Sequence, residues 1–570
     1  MKVLLIQPPI RDFYHTPVRT QPIGLAYIAA SLRSQGHEVD ILDCRSGRKK
    51  KAPIPPELSY LEVLYSFHDQ SPFGLYRGYY HFGMSWDSIR QAIEHADADV
   101  YGISSGFTPY HGEALEVVRI IKQRDASKIV VMGGTHVSAD PEGVLKNALV
   151  DYVVLGEGER RLPLLLRELE RKGKAPVEID GVGCRIHGEI SICAPHSFID
   201  DLDVLPYPAR DLIDPGSYRV GKKRSTMLIT SRGCPHRCAY CSAHHTMGNT
   251  FRARSVSNII EEMRECRELH NIQAFDIEDD NFTYDQKRAQ EILKQIIEAF
   301  HDQPIEMTAM NGISCASLDG ELIGLMKRVG VNTINLSLVS TDDCLRSAMG
   351  RPQGVSDFGA VLGEAERAGL NVIAYAILGM PGQTIAEMVE TVGYLMGKRV
   401  LVGPSIYYPA PGTGLFERCR KEGVLPPFPS QWRSSAFPVE TADFTRRDLV
   451  TLFRLVRAVN FIKGKMDEKV VPEGISLKDL CQLLRENITT QEEPEGFPLS
   501  GTGQRSRGRG DGTSWQELLF LLLEERTFFC LQKVSDGGII AAQEAQSQKV
   551  LDYFFERMWE EPITGSRVGG

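Results

Sequence analysis

The chain has 570 residues, 42% of them hydrophobic and 24% charged, with a formal net charge of −9. That length allows about two to four domains with full apolar cores, and the mild acidity gives no general attraction for nucleic acid or an anionic membrane. No stretch approaches the roughly 18 consecutive apolar residues of a membrane span, and twelve cysteines without a secretion signal point to a reducing cytoplasm, where thiols serve metals or cores.

Residues 1–165 alternate short apolar runs with amphipathic stretches. VLLI (3–6), VDILD (39–43), VYGISS (100–105), IVVMGG (129–134) and VDYVVLGEGE (150–159) read as strands, and Ile23 to Gln35 reads as a helix closed by Gly36. Apolar runs without polar alternation, each followed by a helical pattern, predict an α/β domain whose parallel sheet is covered on both faces. Such sheets bind ligands at the carboxyl ends of their strands. Those ends carry Gln7-Pro8-Pro9, Ser104-Ser105-Gly106, Gly133-Gly134-Thr135-His136 and Gly156-Glu157-Gly158-Glu159. The basic run Arg48 to Lys51 sits among prolines and reads as a solvated loop.

Residues 166–220 read as a proline-rich linker around a hairpin, VGCRIHGEISIC (182–193). Over 221–440 strand and helix alternate again: TMLIT, AFDIEDD, IEMTAM, TINLSLVS, NVIAYAILG and PSIYYPA. Separated by helical patterns, they predict a partial βα barrel. Residues 441–570 read as mostly helical, with a flexible polar insert near 495–514.

Directly after TMLIT comes SRGCPHRCAYCSAHH, which puts Cys234, Cys238 and Cys241 within eight residues. A zinc knot would draw on these thiolates, with His244 as a candidate fourth ligand, but such knots pair two knuckles distant in sequence, and no second knuckle is visible. An iron–sulfur cluster with three protein thiolates would leave one iron open to another ligand. The position at a strand end favours the cluster, because βα barrels present their reactive groups there. The other nine cysteines are scattered and read as small buried hydrophobes.

The stretch C-P-H-R-C-A-Y-C resembles the CxxxCxΦC loop of radical SAM enzymes. The resemblance implies a [4Fe–4S] cluster on Cys234, Cys238 and Cys241, S-adenosylmethionine (SAM) on the open iron, and reductive cleavage to a 5′-deoxyadenosyl radical. It extends to IEDDNFT (277–283), ILGMPGQT (377–384) and YYPAPGTGL (407–415), which implies cofactor contacts from Asp280, Ser340, Gly379 and Gly382. One departure stands out: where relatives carry a glutamate expected to contact SAM, this chain reads Ser337-Leu338-Val339-Ser340, with valine in its place.

PIGLAYIAASLRSQGHEVDILD, VVMGGTHVSADPE and VDYVVLGEGE together resemble the cobalamin-binding domain that precedes many radical SAM cores. That implies a Rossmann-like domain binding cobalamin through Ser104, Ser105, Gly133, Gly134, His136, Gly156 and Glu157. No D-x-H-x-x-G motif supplies a cobalt ligand; Asp12 and His15 are spaced differently. The joint layout implies methyl transfer from cobalamin to an unactivated carbon as the leading reading. Cyclisation or rearrangement without methyl transfer is the alternative, and a non-catalytic corrinoid- or metal-binding regulator the remote one. It also implies a cytoplasmic enzyme acting on a small-molecule substrate and reduced by a ferredoxin or flavodoxin, with no part for nucleic acid.

Overall fold

The computed structural model describes residues 1–14, 21–173, 178–311, 313–351, 353–490, 514–533 and 539–567. His15 and all but the last residue of the insert read near 495–514 lie outside the described residues. Ser514 is described, and its hydroxyl accepts from Glu517 N to cap the helix Trp515–Glu525.

Five parallel strands form the N-terminal sheet: β1 (Lys2–Gln7), β2 (Glu38–Asp43), β3 (Val100–Ser104), β4 (Ile129–Gly133) and β5 (Tyr152–Val154), in spatial order β2-β1-β3-β4-β5. Their unbroken apolar runs follow from two covered faces. Val3 and Leu5 pack with α1 (Ile23–Arg33) and α2 (Gly158–Lys172), while Leu4 and Ile6 pack with the helix His111–Arg124. The strand order reverses between β1 and β3, the position at which doubly wound sheets open a crevice. The hairpin expected at 182–193 is present as β6 (Val182–Ile186) and β7 (Glu189–Ile192), and it extends the sheet by antiparallel pairing with β5.

Lys50 and Lys51 depart from the sequence reading. They form an exposed edge strand, Lys50–Ala52, of a small antiparallel sheet with Tyr79–Phe82 and Ile10–Asp12. Lysine on such an edge discourages further strand pairing.

The second unit places β8 (Lys223–Leu228), β9 (Ala274–Ile277) and β10 (Glu306–Thr308) in one parallel group, and β11 (Thr333–Val339), β12 (Asn371–Leu378) and β13 (Leu401–Ile406) in another. All six expected strands are there. The last begins three residues before PSIYYPA, so Tyr407 and Tyr408 lie beyond it. Burial alternates along β12: Val372, Ala374, Ala376 and Leu378 are covered, whereas Ile373, Tyr375 and Ile377 are half-buried on the opposite face. Helices α3 (Val256–His270), α4 (Gln286–Ala299) and α5 (Ile385–Met396) contribute to the same core.

The C-terminal region joins that core through α6 (Arg446–Asp467), the helix Trp515–Glu525 and the helix Gln548–Met558. Within this mostly helical stretch the chain also forms a hairpin, Phe529–Lys533 with Ile539–Gln543. No described helix is long and apolar enough to cross a membrane.

Candidate active site at the cysteine loop

After β8 the chain passes through Thr230 into a two-residue strand, Ser231–Arg232, paired antiparallel with Arg252–Ala253. This ladder closes the root of the loop that carries the three cysteines. Gly233 follows with φ 80°, and a Cβ there would stand 2.3 Å from Thr250 O. Only glycine fits.

The end of β9 holds the loop from the adjacent side. Asp279 accepts from Thr230 N (2.7 Å), Thr230 Oγ1 (2.5 Å) and Ser231 Oγ (2.6 Å). Asp280 Oδ2 accepts from Gly233 N at 2.9 Å. Asn281 Nδ2 points at Cys234 Sγ across 3.7 Å, and its buried Oδ1 has no partner among the described residues. The acidic strand end expected to meet a cofactor therefore serves first as a buttress for the thiols.

The far side is held too. Ala239 N donates to Met349 O (3.2 Å), Leu415 N to Ala239 O (3.0 Å), and Arg351 Nε to Tyr240 Oη (3.1 Å). Cys238 is buried, and Cys234 and Cys241 are half-buried. Burial pushes the thiols of Cys234 and Cys241 up, so without a cation beside them they would carry their protons; a bound metal reverses that preference. For Arg351, burial opposes the charge, but Tyr240 and Cys238 outweigh it and raise its pKa. Among the described residues no three His, Cys, Asp or Glu side chains converge on a point as one zinc ion requires. A cluster distributes its thiolates over separate irons, and this donor set fits one.

Next to the loop, β9 also presents Asp276 and Glu278. Asp276 Oδ1 accepts from Thr308 Oγ1 (2.7 Å), and Glu278 Oε2 from Asn311 Nδ2 (2.7 Å). Burial, and then the charge of Asp276, push Glu278 up to about 7.

The remaining barrel candidates are placed differently. Ser340 is fully buried; its hydroxyl accepts from Asp342 N (3.1 Å) and lies 3.4 Å from Thr391 Oγ1 on α5. Gly379 N donates to Gln383 Oε1 (2.8 Å), closing the turn that also contains Gly382. Val339 is buried at φ 69°, beside a register shift between Ser337 and Val339. For a β-branched residue that backbone is an outlier. Asn335 lies on the same strand, and its Oδ1 has no partner among the described residues.

At the carboxyl edge of the N-terminal sheet, Ser105 N donates to Gly133 O (2.8 Å) and His136 N to Ser105 O (3.1 Å). His136 Nδ1 lies 3.0 Å from Thr108 Oγ1, His111 Nδ1 lies 3.1 Å from Ser105 Oγ, and the two rings are 4.3 Å apart. Burial brings His136 down to about 4, and burial plus His136 brings His111 down to about 3, so both are neutral near pH 7. A Cβ on Gly106 would meet nothing within 4 Å, and Phe107 is exposed. With the half-buried Ser104, Gly133 and Gly134, this edge leaves backbone within reach at small residues, which fits a bulky macrocycle. Gly156 N donates to Ser138 Oγ (2.9 Å).

Glu157 is engaged elsewhere. It is buried against Arg232, Arg252 and Ile199 N. Asp12, fully buried, accepts from Tyr110 Oη (2.6 Å), Ser435 Oγ (2.6 Å) and Arg433 Nη1 (3.1 Å), and so ties the sheet to the segment after the barrel. The sequence reading missed Arg232, Arg252, Arg351 and Glu278. Glu278 stands in IEDDNFT itself, two residues before Asp280. Nothing in a sequence marks an arginine as buried.

Residues 76–166 match the family model described as B12 binding domain, and residues 228–395 match the one described as Radical SAM superfamily. The chain is 27% identical over 478 residues to cytidylyl-2-hydroxyethylphosphonate methyltransferase of Streptomyces wedmorensis, covering 76% of this chain and 84% of that one. It is 25% identical over 349 residues to anaerobic magnesium-protoporphyrin IX monomethyl ester cyclase of Synechocystis sp., covering 60% of this chain and 62% of that one. The fold is similar to that of the radical S-adenosylmethionine methyltransferase TsrM from Kitasatospora setae, solved with cobalamin and a [4Fe-4S] cluster. The TM-score is 0.56 at 18% identity, over 76% of this chain and 81% of that one.

Proposed function

Starting from the premise that this chain belongs to the radical SAM enzymes that carry a cobalamin-binding domain, we propose that it methylates an unactivated carbon of a small-molecule substrate. The observation that carries this reading is the pairing of a buttressed three-thiol loop with a sheet edge of small, accessible residues in one chain. When bound, the cluster, SAM and cobalamin supply the reducing electron, the hydrogen-abstracting radical and the methyl group.

The chain's residues have separate tasks. Cys234, Cys238 and Cys241 hold the cluster, and Asp279, Asp280 and Asn281 keep their loop in place. Arg351 sets a positive charge beside Cys238 and Tyr240. Ser104, Ser105, Gly133, Gly134 and His136 form the cobalamin edge, with His136 neutral. Gly379 and Gly382 shape the turn on the SAM side, and Ser340 anchors the neighbouring strand to α5. Glu278, held by Asn311 just past the end of β9, can exchange a proton near neutral pH. A ferredoxin or flavodoxin of the cytoplasm would deliver the electron.

Reconstituted protein given SAM, reductant and cobalamin tests the reading by the yield of 5′-deoxyadenosine and S-adenosylhomocysteine. Both products, raised by cobalamin and absent in Cys234→Ala, are expected. Deoxyadenosine alone would favour cyclisation or rearrangement without methyl transfer, the reading supported by similarity to the cyclase.

A further inference from the structure

The acidic loop after β5 turns its carboxylates toward the barrel. Glu157 is 2% exposed and Arg232 3%. Glu157 Oε1 accepts from Arg232 Nη1 at 2.9 Å and Arg252 Nη1 at 2.8 Å, and its Oε2 accepts from Ile199 N at 2.7 Å. Glu159 Oε1 accepts from Arg232 Nη2 at 2.6 Å. Arg252 also donates to Ile199 O and Met247 O, each at 2.6 Å.

Arg232 and Arg252 are partners in the two-residue ladder at the root of the cysteine loop, and Gly233-Cys234 comes next in the chain. One carboxylate from the N-terminal sheet thus grips both strands of that root. A second link runs beside it: the helix Thr135–Ala139, which carries His136, packs against the helix Ala243–Met247 just after Cys241. Ser138 Oγ on the first helix accepts from Gly156 N, next to Glu157. Two carboxylates and two guanidiniums balance, and losing one partner would leave a buried charge uncompensated.

We infer that Glu157 is a positioning residue that couples occupation of the sheet's carboxyl edge to the order of the cysteine loop. A ligand that stills the edge from Gly133 to Glu157 has already met part of the entropic cost of ordering the loop's root. By linkage, an assembled cluster then tightens binding at the edge by the same factor. The inference rests on reading that edge as the cobalamin site.

The test is the dissociation constant of hydroxocobalamin, measured by absorbance on the full chain with its cluster reconstituted and with iron removed. The unsubstituted chain should bind about 10-fold more tightly with the cluster present, within the usual range of coupling between sites. In Glu157→Gln the ratio should fall below about 2-fold, and Glu157→Asp should restore part of it. Should Glu157→Gln fail to fold, Arg252→Lys keeps the charge, loses the fork, and should lower the ratio in the same way. A Glu157→Gln protein with the full ratio would overturn the inference, as would an unsubstituted chain whose affinity ignores the cluster although hydroxocobalamin binds. No binding to either form would overturn the cobalamin reading, and the inference with it.

Discussion

From Thr230 to Cys234, each residue on the way into the cysteine loop has an anchoring partner. At Gly106 and Phe107 on the edge of the N-terminal sheet, just past the buried and hydrogen-bonded Ser105, the chain runs instead into open space, with an unhindered glycine and an exposed ring. The contrast follows from what each edge has to hold. Metal–thiolate bonds demand fixed sulfur positions, so the barrel invests three carboxylate and amide side chains in holding a short loop. A macrocycle demands room and backbone access, which small residues provide.

The contrast can be broken most severely at the thiols. Changing Cys234, Cys238 or Cys241 to Ala should abolish deoxyadenosine formation, by at least about 100-fold in product yield, because a cluster that loses one of three thiolates is not retained. Product yield and iron content, measured together, check this. Gly233→Ala comes next. Its Cβ would collide with Thr250 O and sit at a backbone angle costly for alanine, a strain of about 1–3 kcal/mol. Lower cluster occupancy, with most of the thermal stability kept, is expected.

On the sheet edge the sharper probe is pH. Folding holds His136 near 4, below its ordinary 6.5, so the unfolded chain takes up the proton first. Above pH 6.5 the group contributes nothing to the pH dependence. As the pH falls from 6.5 toward 4, stability should be lost, by at most about 3 kcal/mol. Denaturant titrations across that window should show the slope, and His136→Gln should reduce it without removing it, because burial also holds His111 down, to about 3. The smallest effect is expected from Asn281→Ala, about 1 kcal/mol at the hydrogen bond to Cys234. It should shift the cluster's reduction potential with little change in iron content.

The parts legible in the sequence are those that local pattern dictates. The five sheet strands were visible because both faces of that parallel sheet are covered, giving unbroken apolar runs, and the six barrel strands because they alternate with helical patterns. The cysteines were visible because three thiols crowded onto one loop are rarely accidental. What escaped depends on contacts between distant residues. Glu157 sits in a glycine-rich strand end that looks like a ligand loop, yet its partners are 75 and 95 positions away. Asp280 looked like a cofactor contact, and its carboxylate holds Gly233 N, 47 positions away. Ser340 looked like a cofactor contact, but tertiary packing buries it against Thr391. The segment between β2 and β3 gave no strand signal because its edge strand begins with lysines, Lys50 and Lys51.

The most direct measurement is electron paramagnetic resonance of the reconstituted, dithionite-reduced protein before and after SAM is added, with iron and acid-labile sulfide counted on the same sample. Three thiolates leave one iron of the cluster free, so about four irons and four sulfides per chain are predicted, with a spectrum that changes when SAM binds. A cluster whose spectrum ignores SAM, or a protein holding zinc and no sulfide, would contradict the account.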